Sequence, residues 1–246
     1  VPIYPPLRAS QIEEHLRRHA RILANARATL LITVPAARPL AQLLRAQTPE
    51  LRHVVTVTEL STAVVNPAEL QQIGAAIRTR DIAFLQYTSG STGNPKGVIL
   101  THANLLANIR AMGEAVQADA SDVFVSWLPL YHDMGLIGAW LGALYVGYAL
   151  VVMSPLAFLA RPERWLQALH RHGGTLSAAP NFAYELCVKR IDEAHSAGLD
   201  LSRWRIAFNG AEAVSPDTLQ RFEQRFARCG LRPATLLPVY GLAEAG

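Results

Sequence analysis

Thr88-Ser89-Gly90-Ser91-Thr92-Gly93-Asn94-Pro95-Lys96-Gly97 gathers four hydroxyls, three glycines and one lysine into ten residues. Glycine permits positive φ and lets backbone N–H groups come close to a ligand. The hydroxyls add short donors and Lys96 adds a point charge. Together these are the parts of a loop that folds over an anion, above all a polyphosphate. The stretch is not a Walker A loop: the position five beyond Gly90 is Pro95 rather than glycine, and Val98-Ile99-Leu100 is too short and β-rich to begin the helix that motif requires. A mobile Ser/Gly turn between two strands is the alternative that composition supports. The fixed placement of Pro95-Lys96-Gly97 favours the anion loop.

Outward from the loop, Ile82–Tyr87 reads as the strand that delivers it and Gly97–Leu100 as the strand that leaves it. Thr101 caps a helix to Gln117, with Leu105, Leu106, Ile109 and Met112 at helical spacing. The β–loop–β arrangement lets the loop close over a ligand as a flap. On the N-terminal side, a helix runs from Ser10 to Ala26, with Ser10 as N-cap and Glu13 as its capping-box partner. A buried strand Leu30–Val34, a helix Leu40–Gln47 and a strand His53–Val57 follow.

On the C-terminal side, strands are read at Val123–Leu128, Thr175–Ala179, Arg205–Phe208 and Thr235–Val239. They alternate with helices at Arg161–Arg171, Asn181–Glu193 and Ser215–Arg228, the last with Ser215 as N-cap and Pro216 at N1. This alternation predicts an α/β fold with stacked, parallel-rich sheets and helices on both faces. Sub-lobes are expected at 1–80 and 81–246. The polar clusters Asn181, Asn209–Glu212 and Tyr240–Glu244 all follow apolar runs, at the expected C-terminal strand ends where open α/β sheets bind ligands. That predicts one composite site.

Half of the 246 residues are hydrophobic, enough for a large core. The net charge of +4 comes from scattered arginines, with no basic arm, so nucleic acid is not an expected partner. Cys187 and Cys229 read as core thiols of a reducing compartment, and two cysteines do not make a zinc site. Val1–Pro6 contains no initiator Met, basic n-region or apolar h-region, so no signal peptide is read and the chain is expected to be a fragment. The expected location is cytoplasmic. Met134–Ala160 is uncharged and long enough to span a membrane, but Gly135, Gly138, Gly142 and Gly147 thin it and Ser154-Pro155 ends its apolar core. A buried helix followed by a buried strand (Ala149–Met153) is therefore expected, with Gly138 and Gly142 as close-packing positions and no membrane span.

Tyr87–Gly97 resembles the phosphate-loop signature of the adenylate-forming enzymes: acyl-CoA synthetases, peptide-synthetase adenylation domains and luciferases. Tyr240-Gly241-Leu242-Ala243-Glu244 is similar to their Y-G-x-[TA]-E motif. Val1–Pro6, Leu128–Gly138 and Ala179–Leu186 narrow the likeness to the fatty acyl-AMP ligases, over essentially the whole chain. The resemblance implies that residues 1–246 are part of the large N-terminal AMP-binding domain. It implies that a long-chain fatty carboxylate attacks the α-phosphorus of ATP, releasing pyrophosphate. The acyl-adenylate then gives its acyl group to the phosphopantetheine thiol of an acyl carrier protein.

Thr88, Ser89, Gly90, Ser91, Thr92, Gly93 and Lys96 would hold the β- and γ-phosphates, where charge builds in the transition state. Glu244 would bind Mg²⁺, Tyr240 and Gly241 would face adenine, and Asn209-Gly210-Ala211 would form a backbone wall opposite. His132 would orient or neutralise the carboxylate and α-phosphate, which with Lys96 and Glu244 completes the catalytic set. Gly135 and Gly138 would leave room for the acyl chain.

Each of these residues also has an ordinary reading. His132 fits a helix-start histidine satisfied by backbone, Tyr240 a core residue, and Glu244 a solvated charge. His102 reads as a first-turn residue, Asp133 as a helix cap, His170-Arg171-His172 as a solvated helix end, and Trp165 and Trp204 as packing residues. Two positions depart from the family pattern. Ala213 stands where proline is usual, and Ala243 replaces a threonine common in the superfamily, as is frequent among acyl-AMP ligases. The resemblance puts the ribose-binding aspartate, the hinge and the lysine-bearing C-terminal lobe beyond Gly246, so this chain alone is expected to catalyse little. A fatty acyl-CoA ligase and a non-catalytic nucleotide- or acyl-binding module are the alternatives.

Overall fold

The structure, a computed structural model, describes residues 1–4, 12–88 and 95–245. The chain divides into two compact units, Val1–Asn104 and Leu105–Gly246. The hairpin that sequence reading assigned to the second sub-lobe groups with the N-terminal unit.

The first unit contains α1 (Ile12–Asn25), β1 (Leu30–Thr33), α2 (Arg38–Gln47), β2 (His53–Thr56), α3 (Val57–Ser61), α4 (Pro67–Ala76), β3 (Ile82–Thr88) and β4 (Lys96–Thr101). The expected cap Ser10 lies outside the described residues. Strands β1 and β2 pair in parallel, with Leu31 and Val54 packed on Leu16, Leu23, Ala41, Leu44 and Leu51. Sequence reading made β1 a buried strand, but Leu30 and Ile32 are 46% and 52% exposed. Alternate residues of a strand point to opposite faces, and α1 and α2 cover one face only. Helices α3 and α4 were not foreseen. Thr56 and Glu59 form a capping box that starts α3, and Asn66 caps α4 ahead of Pro67. Strands β3 and β4 form an antiparallel hairpin in the register Tyr87↔Gly97 and Thr88↔Lys96.

The second unit is organised by three residues that each stand just before an apolar run: Asp122, Thr175 and Arg205. They open β5 (Val123–Ser126), β7 (Leu176–Ala179) and β8 (Ile206–Asn209). Arg205 grips Asp122 with two bonds, Nη2 to Oδ2 at 2.6 Å and Nε to Oδ1 at 2.9 Å. Thr175 Oγ1 donates to Asp122 Oδ1 at 2.6 Å and accepts from the Val123 N–H at 2.9 Å. This cluster ties three neighbouring strands at their N-terminal ends.

Around them run α5 (His102–Ala115, capped by Thr101 and Asn104), a π-helical segment Met134–Leu141, α6 (Gly142–Val146), β6 (Ala149–Val152), α7 (Pro155–Ala160) and α8 (Glu163–His172). Then come α9 (Asn181–Arg190), α10 (Glu193–Ser196), α11 (Pro216–Phe226) and β9 (Leu236–Pro238). The sheet is five-stranded and parallel in the order β6-β5-β7-β8-β9. Phe124 and Val125 of β5 are both buried, so both faces of this strand are covered, as the parallel reading requires. Trp165 and Trp204 are fully buried, with ring centroids 5.4 Å apart, as packing residues. Trp165 Nε1 donates to Ser177 Oγ at 2.8 Å, which satisfies both polar atoms inside the core.

The uncharged Met134–Ala160 stretch breaks into four elements, and among the described residues no helix is long and apolar enough to cross a membrane. Its strand, β6, is an edge strand with Val152 52% exposed, which corrects the expectation of a buried one. An edge strand has a neighbour on one side only. The buried expectation came from composition, which is silent on sheet order.

The charged cluster predicts a stability effect. Burial raises the Asp122 pKa, but hydrogen bonds from Arg205, Thr175 and the Asp119 N–H outweigh it and hold the carboxyl below its ordinary value. Its contribution is therefore present above the unfolded-state pKa and lost as pH falls through the lower folded-state value. Arg205→Met strands a buried carboxylate and should cost about 3–5 kcal/mol at neutral pH. Denaturant unfolding of the full-length protein should show this gap narrowing in acid. A gap that does not change with pH would remove the pair from this role.

Candidate functional site

Because β5, β7, β8 and β9 are parallel, their C-terminal ends emerge at one edge of the sheet, opposite the Asp122 cluster. The segments that leave this edge are Trp127–Asp133, Pro180-Asn181, Asn209–Glu212 and Val239–Glu244. Sequence reading grouped the last three, and the first supplies His132.

His132 lies in the turn after β5 and is half exposed. Its carbonyl accepts from Leu136 N–H at 2.8 Å, which locks the turn to the helical segment that follows. Asp133 caps that segment, as expected, its Oδ1 accepting from Met134 N–H at 2.7 Å. The same oxygen takes the His132 Nδ1–H at 2.6 Å, a pairing that sequence reading missed. The pair orients the imidazole with Nδ1 engaged and leaves Nε2 as the atom that can present or take up a proton. The hydrogen bond to Asp133 raises the His132 pKa against desolvation, and the bond from His132 lowers that of Asp133. The contribution of the charged histidine is thus fully present below its unfolded-state pKa and lost as pH rises through the folded-state value.

The glycines after His132 separate into two kinds. A Cβ on Gly135 would stand 2.4 Å from the Pro129 carbonyl oxygen, so this glycine is filled by the chain's own backbone rather than left open for a ligand. Gly138 has nothing within 4 Å and does leave space. Gly142 is the packing glycine, facing Tyr148 Oη at 2.8 Å.

In the loop after β8, Asn209 and Gly210 are buried and Ala211 is the first exposed residue. Asn209 belongs to the scaffold: Nδ2 donates to Asn181 Oδ1 at 3.2 Å, and its carbonyl accepts from Val239 N–H at 2.8 Å. A Cβ on Gly210 would meet the Val239 carbonyl oxygen at 2.7 Å, so glycine lets the loop pass the end of β9. Ala211 has φ +67°, a strained left-handed conformation for alanine costing of order 1–3 kcal/mol. Glu212 Oε1 accepts from Phe182 N–H at 2.6 Å and so caps α9, whose N-cap Pro180 offers no side-chain bond.

Tyr240 is 87% exposed, which excludes the core reading of its ring. Gly241 has open space around it. Glu244 is exposed on a short 3₁₀ turn, Ala243–Ala245, as both of its readings require. Among the described residues no group of three or more His, Cys, Asp or Glu side chains could hold a metal ion by itself. A lone exposed carboxylate does suit Mg²⁺, which takes one or two carboxylates together with phosphate oxygens.

In the N-terminal unit, Lys96 is exposed opposite Thr88 at the mouth of the hairpin. The Tyr87 ring occupies the space that a Gly97 side chain would need, with Cζ at 2.9 Å, and its hydroxyl donates to Asn25 Oδ1. Ser89, Gly90, Ser91, Thr92 and Gly93 lie outside the described residues. His102 opens α5 as a first-turn residue, and His170, Arg171 and His172 are exposed at the end of α8. Cys187 and Cys229 are buried free thiols, both pushed up by desolvation.

Two predictions follow from this geometry. Asp133→Asn should move the His132 imidazole titration, followed by NMR, down toward its ordinary value; an unmoved titration would deny the pairing. Gly135→Ala should lower the melting temperature because backbone has to shift, whereas Gly138→Ala should leave it within a degree or two, roughly the range of a surface change.

The profile of the AMP-binding enzyme family matches residues 1–246. The chain is 50% identical over 165 residues to the medium-chain-fatty-acid–[acyl-carrier-protein] ligase TtuA of Teredinibacter turnerae, a match covering 67% of this chain and 26% of that protein. It is 50% identical over 169 residues to the long-chain-fatty-acid–AMP ligase FadD23 of Mycobacterium tuberculosis, covering 66% and 29%. Among solved structures, the fatty acyl-adenylate ligase from L. pneumophila in complex with acyl adenylate and pyrophosphate superposes with a TM-score of 0.82 at 39% identity. That match covers 98% of this chain and 41% of that one. The chain thus spans well under half the length of these relatives.

Proposed function

This chain belongs to the AMP-binding enzyme family, and from that premise we propose that it carries part of the adenylating lobe of a fatty acyl-AMP ligase. The reaction joins a fatty carboxylate oxygen to the α-phosphorus of ATP and breaks the bond to pyrophosphate. The acyl group then passes from AMP to the phosphopantetheine thiol of an acyl carrier protein, in a cytoplasmic setting. The observation that carries this reading is the set of strand ends at one sheet edge. They present an oriented histidine, a clamped loop and an exposed tyrosine in the motif order of the family.

Each chain group has a role suited to its surroundings. The hydroxyls of Thr88, Ser89, Ser91 and Thr92, the Gly90 and Gly93 N–H groups and Lys96 hold the terminal phosphates and stabilise the charge that builds on them. Tyr240, with Gly241, offers its exposed ring to adenine, and the Asn209-Gly210-Ala211 segment stiffens the facing backbone. His132, held at Nδ1 by Asp133, has Nε2 to offer to carboxylate and α-phosphate oxygens. Glu244 would hold Mg²⁺, which neutralises phosphate charge when bound. The open side of Gly138 admits the acyl chain.

Fatty-acid-dependent ATP–pyrophosphate exchange by the full-length protein tests the reading. Lys96→Ala and Glu244→Ala should each slow exchange by about 100-fold or more. Near-UV circular dichroism should not change, because both side chains are exposed. Folded wild-type protein that exchanges with no carboxylate would refute the ligase. Mass spectrometry of the product formed with carrier protein or with coenzyme A assigns the acceptor.

A further inference from the structure

The first turn of α9 holds the loop between β8 and α11 at three points. Asn181 Oδ1 accepts from Asn209 Nδ2 at 3.2 Å and from Ser215 N–H at 3.0 Å. Asn209 is where the loop leaves the sheet, and Ser215 is where it enters α11, whose N-terminus Ser215 caps through Thr218 N–H. One side-chain oxygen therefore pins both ends of the loop. The third point is Glu212, which reaches from the loop to the Phe182 N–H at 2.6 Å. Between the pinned ends stands Ala211 in its left-handed conformation, which persists only where the surroundings over-determine it. The fully buried Asn209 amide has no hydrogen-bond partner for Oδ1 among the described residues, so the bond from its Nδ2 to Asn181 is what orients it.

We propose that Asn181 is a positioning residue for nucleotide binding: through Asn209 and Ser215 it sets the shape of the loop whose backbone faces adenine, with Glu212 as the third point of the clamp. The inference rests on the adenylation reading and assigns Asn181 a task beyond starting a helix. Asn181 does not touch the reacting atoms. Its effect is felt in how well ATP is held, and in the discrimination of adenine from other bases, rather than in the chemical step.

The test compares Asn181→Leu, which keeps the volume but has no acceptor, with Asn181→Asp, which keeps an acceptor oxygen, in full-length protein assayed by pyrophosphate exchange. The Leu variant should raise KM for ATP about tenfold, change kcat and the fatty acid KM by less than about twofold, and lose part of its preference for ATP over GTP. The Asp variant should restore KM. An unchanged KM for ATP, a loss confined to kcat, or no rescue by Asp would overturn the positioning role. If Asn181→Leu does not fold, Glu212→Ala, at an exposed position, carries the same comparison with Glu212→Gln as its rescue. An unchanged KM for ATP there would overturn the clamp. Absence of exchange in folded wild-type protein would refute the adenylation reading itself, which is a distinct result.

Discussion

The Asp122 carboxylate, buried at the N-terminal ends of the central strands, takes both bonds of the Arg205 fork and the Thr175 hydroxyl. Parallel strands covered on both faces lack the inward–outward alternation that sets register in half-exposed sheets. A one-residue slip of β7 or β8 would exchange one buried face for another at little hydrophobic cost. It would also pull Thr175 or Arg205 away from a carboxylate that cannot be left unpaired. The cluster thus supplies registration that the apolar side chains do not. Ser177, bonded to both Trp165 and the Val125 carbonyl, does the same one layer deeper.

With the strands registered at one end, the segments at the other end are free to diverge. They carry strain and polarity that a core would not tolerate. Ala211 is held left-handed, His132 and Asp133 share a proton-bearing contact, and Tyr240 stands almost fully in solvent. The first two are held by bonds to a rigid neighbour: the first turn of α9 beside the loop that contains Ala211, and the π-helical segment behind His132. This edge supplies chemical groups because the rest of the sheet supplies order.

Much of this was legible beforehand. The strands of the parallel sheet were read to within about one residue at each end, apart from an overlong β5, because short apolar runs bounded by Gly, Pro and Asn carry their own limits. The helix starts at Ser215 and Thr101 were read from capping chemistry, which is local. Strand-end clusters were found because they follow apolar runs, and a parallel sheet collects such ends on one side. Helices α3, α7 and α10 were passed over because they run for only 5, 6 and 4 residues, and the ten-residue α4 because it buries no side chain, so none leaves a clear periodic signal.

The sequence by itself determined the α/β alternation, the hydroxyl- and glycine-rich turn between two strands, and the order of the polar clusters, since turn chemistry and periodicity act over a few residues. Tertiary structure decided what depends on distant partners. It made β6 an edge strand, left one face of β1 open, and separated Gly135, filled by Pro129, from Gly138, which is open. It buried Asn209 against Asn181 across 28 positions and set Glu212 on the start of α9 across 30. No local pattern specifies such pairs, because packing alone brings their backbones within hydrogen-bond reach.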